Sequence, residues 1–228
     1  MKITYNSTNY YLEPCSNGFL LIDAGWHGKV EKFKNGLKML GVKPDEIKYI
    51  LLTHHHHDHV AIVQELKTIT NAKLIVHKNQ IPYLERGVTN TVDIKQYNRV
   101  LRLIDRFTKP FIKYNYPPIT INNYDTIMSD DINDNILRNI GVEGKIVSTP
   151  GHSNDSVSIL LDNGTAYVGD LAMNIKSMKR MSGMPLPIEA EDFEQVKFSI
   201  KNLIHLGANL FYPSHGEVIT KEMIERVI

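Results

Sequence analysis

Apolar positions come first in short runs, "KITYN", "NYYLEP" and "GFLLIDAG", broken by Asn, Ser and Gly, which predicts a meander of β-strands at the start of the chain. The spacing then changes. Val30, Phe33, Leu37 and Leu40 recur at helical intervals with lysines on the other side and Gly41 as a stop, predicting an amphipathic helix. Tyr49 to Thr53 is apolar and β-branched, as a buried strand is, and Val60, Ala61, Ile62, Val63 and Leu66 fit one side of a helix. "AKLIVH" predicts another strand. From about residue 79 to 107 the pattern is helical twice over, in "QIPYLERG" and in "DIKQYNRVLRLIDRF". The stripe Tyr97, Val100, Leu101, Ile104 and Phe107 predicts core or lid packing there.

The next stretch returns to short strands with polar turns and ends in a strand from Lys145 to Thr149 that delivers "PGHS". Residues 156–168 are two β runs around Asp162-Asn163-Gly164, a hairpin signal because Asn and Gly tolerate positive φ. A helix at about Ala190 to Leu206, the strand "ANLFYPSHGE" and a terminal helix complete the pattern. Strands and helices are interspersed in both halves. The expectation is an α/β chain with sheets faced by helices, one domain over 1–228 carrying a helical, lid-like segment at about 79–107.

Bulk properties narrow this little. The 228 residues, 42% of them hydrophobic and 22% charged, suit a globular core. Lys plus Arg number 26 against 25 Asp plus Glu, so bulk charge argues for neither nucleic acid nor an anionic membrane as partner, and any electrostatic steering has to be local. The lone Cys15 has no internal disulfide partner, and "MKITYNSTNYYLEP" lacks the apolar stretch of a secretory signal, so cytoplasmic residence is expected.

Candidate chemistry enters with "THHHHDHV", five histidines and an aspartate within residues 54–59. The segment is a predicted strand-to-helix turn. Alternate side chains of an extended segment share a face, so His54 and His56 project together, and Asp58 and His59 at the helix start can turn back toward them. Imidazole and carboxylate groups in such a cluster suit zinc and other first-row metals. Three more segments run an apolar strand into a small residue and then a ligand-type side chain: "IVSTPGH" with His152, "AYVGD" with Asp170 and "LFYPSH" with His215.

Together these motifs resemble those of the metallo-β-lactamase superfamily. "THHHHDH" is similar to its His-x-His-x-Asp-His motif, "TPGHS" to its third-histidine motif, "GD" to its bridging aspartate, "PSHG" to its final histidine, and "LIDAG" with Asp23 to the loop that supports the site. The matches follow the family's order from about residue 20 to 216. One departure stands at Ala61 and Ile62, where the family often has Gly-Gly, and it bears on local helix packing.

The resemblance implies a four-layer αβ/βα sandwich with two metals, zinc first and iron or manganese as alternatives. One metal would be held by His54, His56 and His152, the other by Asp58, His59 and His215, with Asp170 bridging both. His55 and His57 would face away from the metals, and substitution of His55 is expected to change little. The implied chemistry is hydrolysis by a water that the two metals activate, with Asp58 also receiving a proton.

Family β-lactamases generally lack an aspartate at the bridging position, which argues against antibiotic hydrolysis and ranks an ester, thioester or lactone bond of a small substrate first. A phosphodiesterase of the same fold, or an iron-dependent sulfur dioxygenase, is the alternative. The lactonase reading expects a tyrosine shortly after the bridging aspartate, where this chain has Leu171, Ala172 and Met173. Trp26 and His27 follow the "LIDAG" loop and are candidates for a substrate wall, and Lys176, Lys179 and Arg180 for a clamp on an anionic group. A small-molecule substrate, with neither nucleic acid nor membrane, completes the expectation.

Overall fold

The computed structural model describes residues 1–129, 132–178 and 184–228. The chain opens on three antiparallel strands, β1 (Lys2–Tyr5), β2 (Thr8–Cys15) and β3 (Gly18–Ile22). The tight turn between β1 and β2 holds Asn6 and Ser7 at positive φ, as the predicted Asn and Ser break allows. Helix α1 (Val30–Met39) leads into β4 (Ile47–Leu51), parallel to β3. Helices α2 (His57–Val60) and α3 (Val63–Thr70) follow, then β5 (Lys73–His77) and α4 (Ile81–Leu84).

A short strand β6 (Lys95–Gln96) precedes helix α5 (Arg99–Thr108). Next come β7 (Thr126–Met128), β8 (Ile132–Asn133), α6 (Asn135–Asn139), β9 (Gly144–Ser148), β10 (Val157–Leu161) and the long β11 (Thr165–Asn174). The chain ends with β12 (Glu189–Ala190), α7 (Phe193–His205), β13 (Leu210–Gly216), β14 (Ile219–Thr220) and α8 (Lys221–Glu225).

Two six-stranded sheets result, in the orders β1-β2-β3-β4-β5-β7 and β14-β13-β11-β10-β9-β8. The alternation of side chains along a strand sorts the core into three layers. On β3, Leu21 faces outward to join Phe33 and Leu37 of α1 and Val63 and Leu66 of α3, whereas Leu20 and Ile22 point between the sheets. On the second sheet, Ala166 and Val168 pack under Val196, Ile200 and Leu203 of α7, while Tyr167, Val157 and Ile159 meet Tyr11 and Leu51 of the first sheet. The order is helix, sheet, sheet, helix, the four-layer α/β sandwich expected from the motifs. Tyr11 crosses between the sheets to donate a 2.7 Å hydrogen bond to the Pro213 carbonyl, and Tyr167 donates one of 2.8 Å to Glu13.

Four expectations are corrected in detail. The helix after the histidines is broken at Ala61 and Ile62: the Ile62 amide donates back to the Ala24 carbonyl, and the Ala24 amide to the His59 carbonyl, so the second layer of bonds goes to the Asp23 loop and not along one helix. Ile62 is buried in the helix-facing core of the first sheet. Helix α5 begins at Arg99, not near Asp93, because Lys95 and Gln96 pair with β12 and the Asn98 side chain caps the helix by accepting from the Leu101 amide. Of the stripe on this helix only Leu101 is buried, and Val100, Ile104 and Phe107 are exposed, so it is not core packing. Residues Asn135–Asn139 form a helix within the stretch expected to hold only strands and turns.

Candidate metal centre

Four chain segments deliver the motif side chains to one edge of the sandwich. The extended segment after β4 carries Thr53 to His56, and its end starts α2. Ring centres of His54 and His56 lie 4.5 Å apart, the shared face that their alternate positions dictate. The loop after β9 brings His152, whose Nε2 is 3.1 Å from Nδ1 of His56. Asp170 sits within β11, at an irregularity in its pairing with β13, and not in a turn as the pattern suggested. The sharp backbone there depends on Gly169, at φ +54°, where a Cβ would come 2.7 Å from the Thr53 hydroxyl. His215, on β13, places its Nε2 3.1 Å from Asp58 Oδ2 and 3.4 Å from Asp170 Oδ2. His59 Nε2 lies 3.4 Å from Asp170 Oδ1 and 3.5 Å from Asp58 Oδ2.

All seven predicted side chains thus converge in three overlapping groups: His54, His56 and His152; His54, His59 and Asp170; and Asp58, His59 and His215. The remaining ring nitrogens are held from behind. Asp23, in a left-handed backbone conformation, accepts from the Thr53 amide (2.8 Å), the Thr53 hydroxyl (2.7 Å) and His59 Nδ1 (2.8 Å). His54 Nδ1 is 3.0 Å from the Thr53 hydroxyl, His152 Nδ1 donates to the Glu189 carbonyl and His215 Nδ1 to the Ser7 carbonyl. With Nδ1 of each ring engaged on the far side, Nε2 of His54, His59, His152 and His215 is the nitrogen turned toward the cage.

The donor set fits a metal on the cage's own terms. Nε2 of His54 and His59 and Oδ1 of Asp170 are buried without a hydrogen-bond partner, and His56 Nδ1 faces His152 Nε2 at a distance only one shared proton or a cation would make favourable. Buried polar atoms so poorly paired among the described residues, His59 Nε2 and Asp170 Oδ1 being no closer than 3.4 Å, cost free energy unless something positive lies between them.

Electrostatics agree. Burial, with the neighbouring imidazoles, holds His54 and His56 well below the ordinary histidine range, so both stay neutral, ligand-ready bases. Burial would likewise lower His59 and His215, but Asp58 and Asp170 overcome it: His59 is raised well above 6.5, and His215, facing Asp170 first, is pushed up to about 10. Burial opposes ionisation of Asp58 and Asp170 too, and the same histidines hold both carboxyls below their usual range.

A pH dependence follows. A metal must displace the protons on His59 and His215, so uptake releases protons and affinity rises with pH through neutrality toward about 10, where His215 loses its own. For the metal-free fold the sign is opposite. The two raised histidines contribute stability that is full below their ordinary value of 6.5 and lost as pH rises through the folded values. Calorimetric titration with zinc in buffers of different ionisation enthalpy reads the proton release directly. A buffer-independent heat would contradict the assignment.

Asp23 yields a second prediction. Asp23→Asn keeps the shape but offers an amide where Thr53 and His59 donate, and loss of such a supporting carboxylate typically costs about 10–100-fold in metal affinity. Competition with a chromophoric chelator measures it, and an unchanged affinity would show Asp23 to be a packing residue only.

Above the cage opens a cavity of about 350 Å³. Its floor includes His56, Asp58, Asp170 and His215, and its walls include Trp26, Ile94, Ile112, Tyr114 and Ile188. Much of the wall comes from residues between Thr89 and Tyr114, which reach past the end of the lid-like stretch expected at about 79–107. Trp26 stands where the sequence suggested, edge-on to His57 at 5.2 Å, its indole donating to the Thr8 hydroxyl. His27 is exposed and outside the wall. Lys176 is also outside it, its side chain 78% exposed and 3.9 Å from Glu217. Lys179 and Arg180 lie outside the described residues. Lys109 is instead the lysine of the described wall, which also includes Asp105 and Glu189.

His55 and His57 point away from the cage, as alternation requires, but to different ends. His57 lines the cavity, and its amide donates to Thr89. His55 is buried, stacked on Tyr83 with ring centres 4.0 Å apart and bonded at Nδ1 to Asp155. Asp155 was not singled out in the sequence; its place three residues after His152 in "PGHSND" is the one available signal.

The comparisons place this arrangement. The family model described as "Metallo-beta-lactamase superfamily" matches residues 4–215, and the chain belongs to that superfamily. Among curated relatives, the probable metallo-hydrolase YqjP of Bacillus subtilis is 22% identical over 88% of this chain and 64% of its own length. The probable metallo-hydrolase MJ0888 of Methanocaldococcus jannaschii is 27% identical over 94% of this chain and 89% of its own. The chain spans 64% and 61% of the first two relatives it matches, YqjP and a beta-lactamase-like protein 2 homolog of Drosophila melanogaster. Of solved structures, a B3 metallo-beta-lactamase with an active-site glutamic acid aligns with TM-score 0.66 at 18% identity, over 99% of this chain and 83% of that one. The Rm3 metallo-beta-lactamase aligns with TM-score 0.63 at 19% identity, over 94% and 74%. At such identities these structures speak to the fold.

Proposed function

We propose that this chain is a metal-dependent hydrolase that cleaves an ester, thioester or lactone bond of a small acyl substrate, with zinc as its metal at two equivalents. The observation that carries the reading is the cage itself: seven converging side chains, several of them buried acceptors lacking a partner, at the floor of an accessible cavity. Two metals held by those groups would supply an activated water at neutral pH and polarise the scissile carbonyl.

The chain's own residues do the rest. Asp58, on the cavity floor and 3.1 Å from His215 Nε2, is the carboxylate that would accept the proton released on attack. Trp26 and Tyr114 flank His57 from two sides and narrow the entrance. Ile94, Ile112, Ile175 and Ile188 give the acyl part of the substrate an apolar wall and exclude water from it. Because Asp105 and Glu189 share that wall with Lys109, a neutral acyl group suits it better than an anionic one.

A hydrolysis screen of the zinc-loaded chain across thioesters, lactones, simple esters, phosphodiesters and β-lactams tests this, with elemental analysis of the same sample. Acyl turnover with about two zinc per chain is the expected result. Strong phosphodiester turnover without acyl activity, or one iron per chain with oxygen consumption, would overturn it.

A further inference from the structure

Helix α5 divides its surface into three stripes. Leu101, Asp105 and Lys109, spaced i, i+4 and i+8, face the body of the protein: Leu101 is buried, and Asp105 and Lys109 line the cavity. Val100, Leu103, Ile104 and Phe107, at i, i+3, i+4 and i+7, form a second stripe that nothing covers, with exposures of 53%, 58%, 40% and 68%. Phe111, in the turn that continues the helix, extends it at 89%. Arg99, Arg102 and Arg106 make the third stripe along its flank, and Lys113 stands beyond its end. All four are exposed, and none has an ion-pair partner among the described residues.

A contiguous apolar stripe of this kind on a protein surface marks a site of association. We propose that the outer face of α5 and the following turn dock onto an anionic lipid surface, Phe107 and Phe111 entering the acyl boundary while the arginines meet headgroup phosphates. The charge pattern selects this occupant. A short helix with bulky apolar residues on one side and Arg on the flank lies in the plane of a membrane interface, drawn by apolar burial and by anionic headgroups together.

A second copy of the chain fits less well. Two-fold pairing sets the same patch against itself, an antiparallel pairing would run both Arg rows along one seam, and the helix's only acid, Asp105, is turned to the cavity and could not pair with them. Since Asp105 of the helix and Lys109 of the following turn also line the cavity wall, docking on this face would set the cavity beside the membrane surface. The inference concerns binding and stands or falls independently of the reaction proposed above.

Co-sedimentation of the zinc-loaded full chain with vesicles tests it, one set of phosphatidylcholine and one of phosphatidylcholine mixed with phosphatidylglycerol. Binding to the anionic set that weakens with salt, and little to the neutral set, is expected. Phe107→Ser with Phe111→Ser, and separately Arg102→Glu with Arg106→Glu, should each lower partitioning roughly tenfold. Both pairs are exposed, so circular dichroism and thermal melting should be unchanged. Failure of the wild-type chain to sediment with anionic vesicles, or wild-type partitioning by both variants, would overturn the proposal. So would a concentration-dependent dimer, seen by sedimentation velocity, that the Phe variant dissolves while neither chain binds vesicles.

Discussion

His56→Ala is expected to lower hydrolytic turnover by about a thousandfold or more while leaving the fold intact. The size follows from the several kcal/mol that metal assistance contributes to a hydrolytic transition state, at one factor of ten for each 1.36 kcal/mol. His56 Nδ1 lies 3.1 Å from His152 Nε2, so its loss removes one of the three nitrogens around one proposed metal position. The fold should survive because, among the described residues, the His56 side chain makes no hydrogen bond outside the cage and its Nε2 has none. Asp58→Ala should act in the same direction on turnover. The check is turnover on the best substrate from the screen, beside metal content and melting temperature. A His56→Ala protein with full metal and full turnover would remove His56 from the centre.

The ligands were legible because their constraints are local. Alternation on an extended strand puts His54 and His56 on one face whatever the rest of the chain does, and small residues before His152, Asp170 and His215 mark places where the backbone turns sharply enough to present a side chain. The pattern of strands and helices pointed to sheets faced by helices, and the four-layer order came from the resemblance of the motifs. The structure meets it strand by strand, Leu21 facing the helices while Leu20 and Ile22 point between the sheets.

What the sequence hid is what depends on contacts between distant segments. The apolar stripe on α5 has the period of a packed helix, and only the placement of Leu101 and Asp105 toward the body shows that its greasy side is the outer one. The same holds for the cavity wall. Gln96 is carried there by pairing of β6 with β12, which also brings the Glu189 carbonyl to His152, and no local pattern connects residues 95–96 with 189–190. Lys176 looked like a clamp by proximity to Asp170 in sequence, yet β11 runs on past Asp170 to Asn174 and carries the lysine out to solvent.

His55 faces away from the cage as expected, but the effect of its substitution on stability should be large. As a spacer between ligands it reads as tolerant, but it is a buried pillar. Its Nε2 accepts the Asn90 amide at 3.0 Å, which leaves the ring proton on Nδ1, donated to Asp155 Oδ2 at 2.7 Å. The same carboxylate oxygen accepts the His55 amide at 3.1 Å, and the ring stacks on Tyr83. His55→Ala would leave the buried Asp155 carboxylate with one donor fewer, strand the half-buried Asn90 amide, and open a cavity behind the ligand loop.

Stranded hydrogen-bonding groups cost about 1–3 kcal/mol each, so a loss of about 3 kcal/mol or more is expected. At roughly 2–4 °C per kcal/mol for a chain of this size, the melting temperature of the metal-free protein should fall by on the order of 10 °C. Because His55 contributes no atom to the cage, the variant held below its transition should still bind zinc, and that separates it from His56→Ala, which keeps its fold and loses metal. His55→Ala melting within about a degree of wild type, a shift far below that scale, would mean that the Asp155 pair holds nothing in place.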